Sequence, residues 1–297
     1  MTLYRFTDAQ EAIKFIEKIQ EKVKMNKEAN VLCMVMIGII KLHKYNELKE
    51  VKNIIEEAEK ILDEVEGVSP VHSQFYLLCS DLYRIQGKHR EFYANSLKYL
   101  GCTDLEDLSS EEKQKQAYFL ALAAILGDKV YNFGELLAHK VLDSLKGTEN
   151  AWLTELLFVF NSGDVNKFRT MKPKWSTIPD LAANETRLYE KVCLLCLMEM
   201  TFRKEATERH IAFAEIAKET TLPLEQVELL VMKGLSQGLV RGKIDEVEQV
   251  VMLTWVQPRV LDRQQLNTMT NKIQSWSTSV QSMELMIESK AGEILTY

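Results

Sequence analysis

From Thr7 to about Met200, apolar residues recur every three or four positions, and each such segment closes on a turn signal. That period stacks side chains on one face of an α-helix but scatters them over both faces of a strand, so it selects helices. Leu48, Val51, Ile55, Ala58, Leu62 and Val65 form the clearest stripe, closed by Gly67 and Pro70. Ala12, Ile16, Ile19 and Val23 form an earlier one, with Thr7 and Gln10 at capping-box spacing before it. Val71, Phe75, Leu78, Leu82 and Ile85 run to Gly87, and Phe92, Tyr93, Leu97 and Leu100 run to Gly101; the two are expected to pair as an antiparallel hairpin. Ser109 and Glu112 form a capping box ahead of Ala117, Leu120, Ala121, Ala124 and Ile125, and Gly127 breaks that helix. Further helices are expected over residues 133–145, 152–160 and 180–200. With 12 Gly and 5 Pro among 297 residues, the chain also lacks the punctuation of a sandwich or barrel. Helix hairpins joined by short links describe an α-solenoid, here without a strict repeat consensus.

The pattern changes after Thr201. A short helix over 211–219, a turn over 220–223 and a second helix over 224–237 have helix-turn-helix spacing, with Val227, Leu230, Val231 and Leu235 facing inward. Gly238 caps the second helix. Two β-rich runs follow, Leu239 to Asp245 and Val250 to Val256, joined by a hairpin turn over 246–249. Together these make a winged helix of about sixty residues, a two-stranded wing included. Beyond Pro258, Leu266, Met269, Ile273, Trp276, Val280, Met283 and Ile287 alternate by three and four, a narrow seam suited to packing against other helices or back onto the solenoid. The expected architecture is an all-α solenoid of helical hairpins over 1–200, a winged-helix module over 201–260 and a long C-terminal helix over 261–297.

Catalytic templates fail on residue type and spacing. The five histidines, His43, His72, His89, His139 and His210, stand singly, without the paired spacing that holds a metal, so no metal or other cofactor is expected. Cys193 and Cys196 form a Cys-x-x-Cys inside an apolar helical run with no strand before it, which suits core packing rather than redox chemistry. The segment Gly238-Leu239-Val240-Arg241-Gly242-Lys243 superficially looks like a phosphate-binding loop, but three residues separate its glycines, Ile244 follows its lysine, and a strand begins where a helix is needed. A helix cap and a wing turn are the expected roles of those glycines. An enzyme with a small-molecule substrate is therefore not expected.

Charge bears on the partners. The net charge is -6, from 37 basic and 43 acidic residues. Residues 201–260 hold eight basic and nine acidic side chains, and the second helix of the winged helix offers Glu225 and Glu228 against Lys233. Counterion release then adds little affinity for nucleic acid, which remains the alternative reading of a winged helix through Arg241 and Lys243. No stretch approaches the length of a membrane span. Five cysteines, an odd number mostly within apolar helices, fit reduced thiols in the cytoplasm and nucleus.

Several stretches carry a family resemblance: Pro70-Val71-His72-Ser73-Gln74-Phe75-Tyr76, Tyr93-Ala94-Asn95-Ser96-Leu97-Lys98-Tyr99-Leu100, Leu136-Leu137-Ala138-His139, Phe213-Ala214-Glu215-Ile216-Ala217, and Gly238 to Asp245. With the helical array, the acidic winged helix and the terminal helix, the chain resembles the PCI-domain family, scaffold subunits of the proteasome lid, the signalosome and an initiation-factor complex. The match is close to one lid subunit over essentially the whole chain. The resemblance implies a non-catalytic scaffold whose partners are other PCI subunits of the lid. It implies wing strands that associate edge to edge, through Leu239, Arg241, Lys243, Val251, Leu253 and Trp255. It also implies a terminal seam, Leu266 to Ile287, that joins a common helical bundle. That lid subunit begins with additional helical repeats, and these are expected to be missing here, as in a shorter isoform or a fragment starting at an internal methionine.

Overall fold

The computed structural model describes residues 9–65, 67–104, 106, 108–204, 209–259 and 263–294. They fall into two compact units, Met1–Gln257 and Pro258–Tyr297. In the first, helices succeed one another as the spacing requires: α1 (Ala9–Val23), α2 (Lys27–Ile40), α3 (Leu48–Leu62), α4 (Pro70–Ile85), α5 (His89–Gly101) and α6 (Ser110–Leu126). The Thr7 cap lies outside the described residues. Asn26 starts α2 by accepting the Ala29 amide at 3.2 Å. At α6 the capping box forms as expected: Ser109 Oγ accepts the Glu112 amide at 3.2 Å, and the Glu112 carboxylate accepts the Ser109 amide at 3.0 Å. The Ser109 hydroxyl, which donates to the Glu112 carboxylate at 2.8 Å, and then the Ser109 amide hold that carboxyl below the usual range.

The stripes meet as predicted. Val51, Ile55, Ala58 and Leu62 of α3 are buried with Val31 and Val35 of α2 and with Phe75, Leu78 and Leu82 of α4. α4 and α5 pack together as the expected hairpin. α2 continues into one wider turn over Lys41–Tyr45, ended by Asn46 in the left-handed region at φ 55°.

Farther along, the helices shorten. One helix is expected over 133–145, but the chain forms α7 (Gly134–Ala138) and a separate 3-10 segment, Lys140–Leu145. His139 divides them: its backbone is extended, and its Nδ1 accepts the Val141 amide at 3.2 Å, restarting the chain as a cap does. Then come α8 (Ala151–Ser162) and three short helices, α9 (Val165–Thr170), α10 (Lys172–Trp175) and α11 (Pro179–Ala183). α9 and α10 are too short to show a period; aromatic packing holds them instead. Phe133, Phe160, Phe168 and Trp175 form a chain of ring contacts with centroids 5.1–5.9 Å apart, and the buried Trp175 Nε1 donates to the Phe168 carbonyl at 3.2 Å.

The central strut is α12 (Glu185–Arg203), buried all round from Lys191 to Met198. α8, α9, α13 (Phe213–Thr220) and α14 (Leu224–Ser236) pack on it. Cys193 and Cys196 lie in this core, and burial pushes both thiols up to about 12.

The wing differs from expectation in strand number. β1 (His210–Ala212), β2 (Val240–Asp245) and β3 (Val250–Val256) form one antiparallel sheet in the order β1-β3-β2. The helix expected to begin at Ile211 begins at Phe213, because residues 210–212 pair with residues 250–252 of β3. Three residues are too few to display strand alternation. The helical hairpins, the winged helix and the long C-terminal helix are all present. α15 (Arg263–Ile294), a helix of 32 residues, lies in the second unit.

Candidate interaction surfaces

The residues expected on the wing divide into core and surface. Leu239, Val251 and Leu253 are buried under the sheet, so their side chains hold the wing to α12, α13 and α14 and are not offered to a partner. Arg241 and Lys243 project from β2 into solvent. Trp255 is half-buried, and the Arg241 guanidinium sits 4.6 Å from its ring centroid, a stacking pair across the two strands.

The third strand covers part of one side of β3 and so narrows where an open edge remains. β3 is paired on both sides over residues 250–252, so the free edge of the β2 side belongs to β2. A bulge interrupts that side: Arg241 pairs with Trp255 but Gly242 with Leu253, which leaves Thr254 as the extra residue. Gly242 sits at this bulge, not in a turn. A Cβ there would meet the Met252 carbonyl oxygen at 2.1 Å, so the strands approach too closely for any side chain. Gly238 does end α14, at φ 70°, as expected.

On the second helix of the winged helix, α14, the outward face carries Glu225, Leu229, Met232 and Lys233. Its one basic residue, Lys233, is ion-paired with Glu190 of α12. Among the described residues no group of three or more His, Cys, Asp or Glu side chains could hold a metal ion, and no helix is long and apolar enough to cross a membrane.

α15 carries the expected seam. Leu266, Met269, Ile273, Trp276, Val280, Met283 and Ile287 are between 47 and 70 % exposed. Met286 lies beside this seam and adds to its exposed apolar surface, whereas Leu285, two residues from both Met283 and Ile287, is exposed on the opposite side of the helix. Between the apolar residues the helix is rich in hydroxyls that bond to its own backbone: Thr270, Thr278, Ser279 and Ser282 each donate to the carbonyl four residues before, at 2.9–3.0 Å. Such groups are already satisfied and can be covered by another helix at little cost.

Comparison with known proteins gives these surfaces a context. A family model described as PSD13 N-terminal repeats matches residues 1–157, and the PCI domain model matches residues 166–255. The chain is 36% identical to the 26S proteasome non-ATPase regulatory subunit 13 of Dictyostelium discoideum over 97% of its own length and 77% of that protein's. It is 36% identical to the probable 26S proteasome regulatory subunit rpn9 of Schizosaccharomyces pombe, over 88% of the chain and 68% of the relative. Identity falls to 23% with the eukaryotic translation initiation factor 3 subunit M of Phaeosphaeria nodorum, over 81% and 54%.

One expectation is overturned. The N-terminal repeats are not missing: their model covers residues 1–157, which hold α1 to α7. Because the hairpins differ in length and share no strict consensus, periodicity identifies them as helices without saying which repeats they are. With its repeats, its PCI domain and identities of this size over most of each relative, the chain belongs to the family of 26S proteasome non-ATPase regulatory subunit 13.

Proposed function

We propose that the chain is a non-catalytic scaffold subunit of the proteasome regulatory particle lid, supporting ATP-dependent degradation of ubiquitinated proteins in the cytoplasm and nucleus. The observation that carries this reading is α15, a long helix whose apolar seam is exposed along its whole described length. Seven large apolar residues in a strict seam are costly to leave in water, and full burial of each is worth about 1.5–3 kcal/mol. Helices of other PCI subunits are the partners that such a seam suits. The outer edge of β2, with Arg241 and Lys243 projecting beside it, is a second contact, made through backbone hydrogen bonds and these two cations.

The regulatory, non-ATPase character of the relatives supports a role without catalysis here. The carboxylates Glu225 and Glu228 of α14 and the engaged Lys233 weigh against nucleic acid as a partner. The test is Ile273→Asp with Val280→Asp, co-expressed with lid subunits. Incorporation should fall at least tenfold while the circular dichroism and thermal midpoint of the isolated chain stay unchanged. A well-folded double variant that still enters the lid as the native chain does would sink the proposal.

A further inference from the structure

Lys191 occupies a position in which a cation is rare. It lies on α12 and is 7 % exposed. Its ammonium donates to three carbonyls at the end of α6, those of Ala124 at 2.8 Å, Ile125 at 2.9 Å and Gly127 at 2.8 Å. The aromatic faces of Tyr131 and Phe133 lie 5.8 and 5.3 Å from Nζ. Burial, and then the charge of Arg187, disfavour the ammonium. The immediate surroundings oppose them. The carbonyls are the acceptors that a helix leaves unsatisfied at its C-terminus, where the dipole favours a positive charge, and the ring faces favour it too. A neutral amine has two N–H groups and would leave one of the three carbonyls without a donor, so the site is built for the charged form. A cation of α12, within the PCI domain, thus caps α6, a helix of the N-terminal repeats.

The packing at this joint leaves a freedom for the cation to remove. α8 packs against both α6 and α12 and stands as an axle between them. Helices held by apolar contacts can slide and turn by small amounts, because such contacts have no direction. Three hydrogen bonds that converge on one nitrogen have a direction. Two further ties start from the same stretch of chain: Asp128 is ion-paired with Arg187 of α12, and Tyr131 donates to the Gln237 side chain at the end of α14 at 2.5 Å. The ion pair lies in water, its side chains 49 and 69 % exposed, where such a pair adds little. Lys191 is the buried tie. It also lines a cleft of about 290 Å³ between the end of α6, α12 and α14. Through that cleft water can reach the three carbonyls once the ammonium is removed, so its loss loosens the joint without unfolding the chain.

We propose that the Lys191 ammonium locks α6 to α12 and thereby fixes the angle at which the N-terminal repeats stand against the PCI domain. An apolar side chain of similar length can fill the space but cannot select one orientation of α6. A buried polar group in such a place contributes a unique arrangement more than it contributes stability. From α6 the repeats continue through α5 and α4 to α2 and α3, each packed on the next, so a small turn at α6 becomes a larger displacement farther along. The lock concerns the chain by itself and holds whatever the chain assembles with.

Distance measurement on the intact chain tests it. Nitroxides carried on p-acetylphenylalanine at two exposed positions, Glu57 of α3 and Gln226 of α14, report the angle as a distance distribution in double electron–electron resonance. The native chain should give one narrow distance. Lys191→Met, which keeps the apolar stem and removes the charge, should widen the distribution about twofold or more. Val231→Ala, which removes buried bulk from α14, should lower the urea midpoint and keep the native width, which separates an orienting role from a general loss of packing. Widening in both variants, or in neither, overturns the proposal. If Lys191→Met does not fold, hydrogen exchange of the native chain decides the matter alone. With intrinsic rates divided out, the amides of residues 124–127 should exchange as slowly as those of residues 192–198 in α12, because a locked α6 cannot open its last turn by itself. Exchange there that is about tenfold faster or more overturns it.

Discussion

At Gly163 the chain ends α8 at φ 66°, and a Cβ would stand 2.5 Å from the Cα and N of Cys196 on α12. The left-handed backbone alone costs an L-residue about 1–2 kcal/mol, and the contact is with backbone that cannot rotate aside. Gly163→Ala should therefore destabilise the first unit by at least about 3 kcal/mol, measured as the loss of unfolding free energy in urea; a loss under 1 kcal/mol would show that α8 and α12 can separate freely. Neither this crossing nor the bulge at Gly242 is visible in local sequence, because each is a close approach between distant segments. The glycine that was legible, Gly238, closes a helix, a role with a local signature. Lys191 belongs with the crossing and the bulge: it stands beside Glu190 at the start of the apolar run from Val192 to Met198, so nothing local marks it as buried, and its partners sit more than sixty residues away.

Among the elements, legibility followed length and capping. α3, α4, α5 and α6 are long enough to show their period, and most of the residues that the stripes select are buried, although Ile85 is 46 % exposed and the stripes miss the buried Cys79, Ser96 and Tyr99. The Ser109 box was readable because its two partners are three residues apart, and Ser109→Ala should cost about 1 kcal/mol in thermal or urea unfolding. A loss indistinguishable from zero would mean that packing alone starts α6. The segment over 133–145 was misread as one helix because its apolar residues keep a helical period across His139, where backbone and ring interrupt the hydrogen bonding. α9 and α10 escaped because aromatic anchors, not periodicity, hold them, and β1 escaped because a strand of three residues exists only through its pairing with β3. α15 was the opposite case: its seam was fully legible, and the structure adds Met286 beside it.

For the molecule as a whole, the order of parts was readable and the identity of the first part was not. Helical hairpins, winged helix and terminal helix each have a period or composition of their own. Repeats without a consensus have none, so residues 1–157 read as a generic array although they match the family's N-terminal repeats. The wing and the seam of α15 give the chain two surfaces with the character of assembly contacts, one built from a strand edge and one from an apolar stripe. The central claim is that these surfaces place the chain among the PCI subunits of the proteasome lid. Affinity purification of the tagged chain from cells under native conditions, with mass-spectrometric identification of what accompanies it, tests that claim most directly. The account predicts recovery of the lid subunits in comparable amounts; recovery of signalosome or initiation-factor subunits in their place, or of the chain alone, would contradict it.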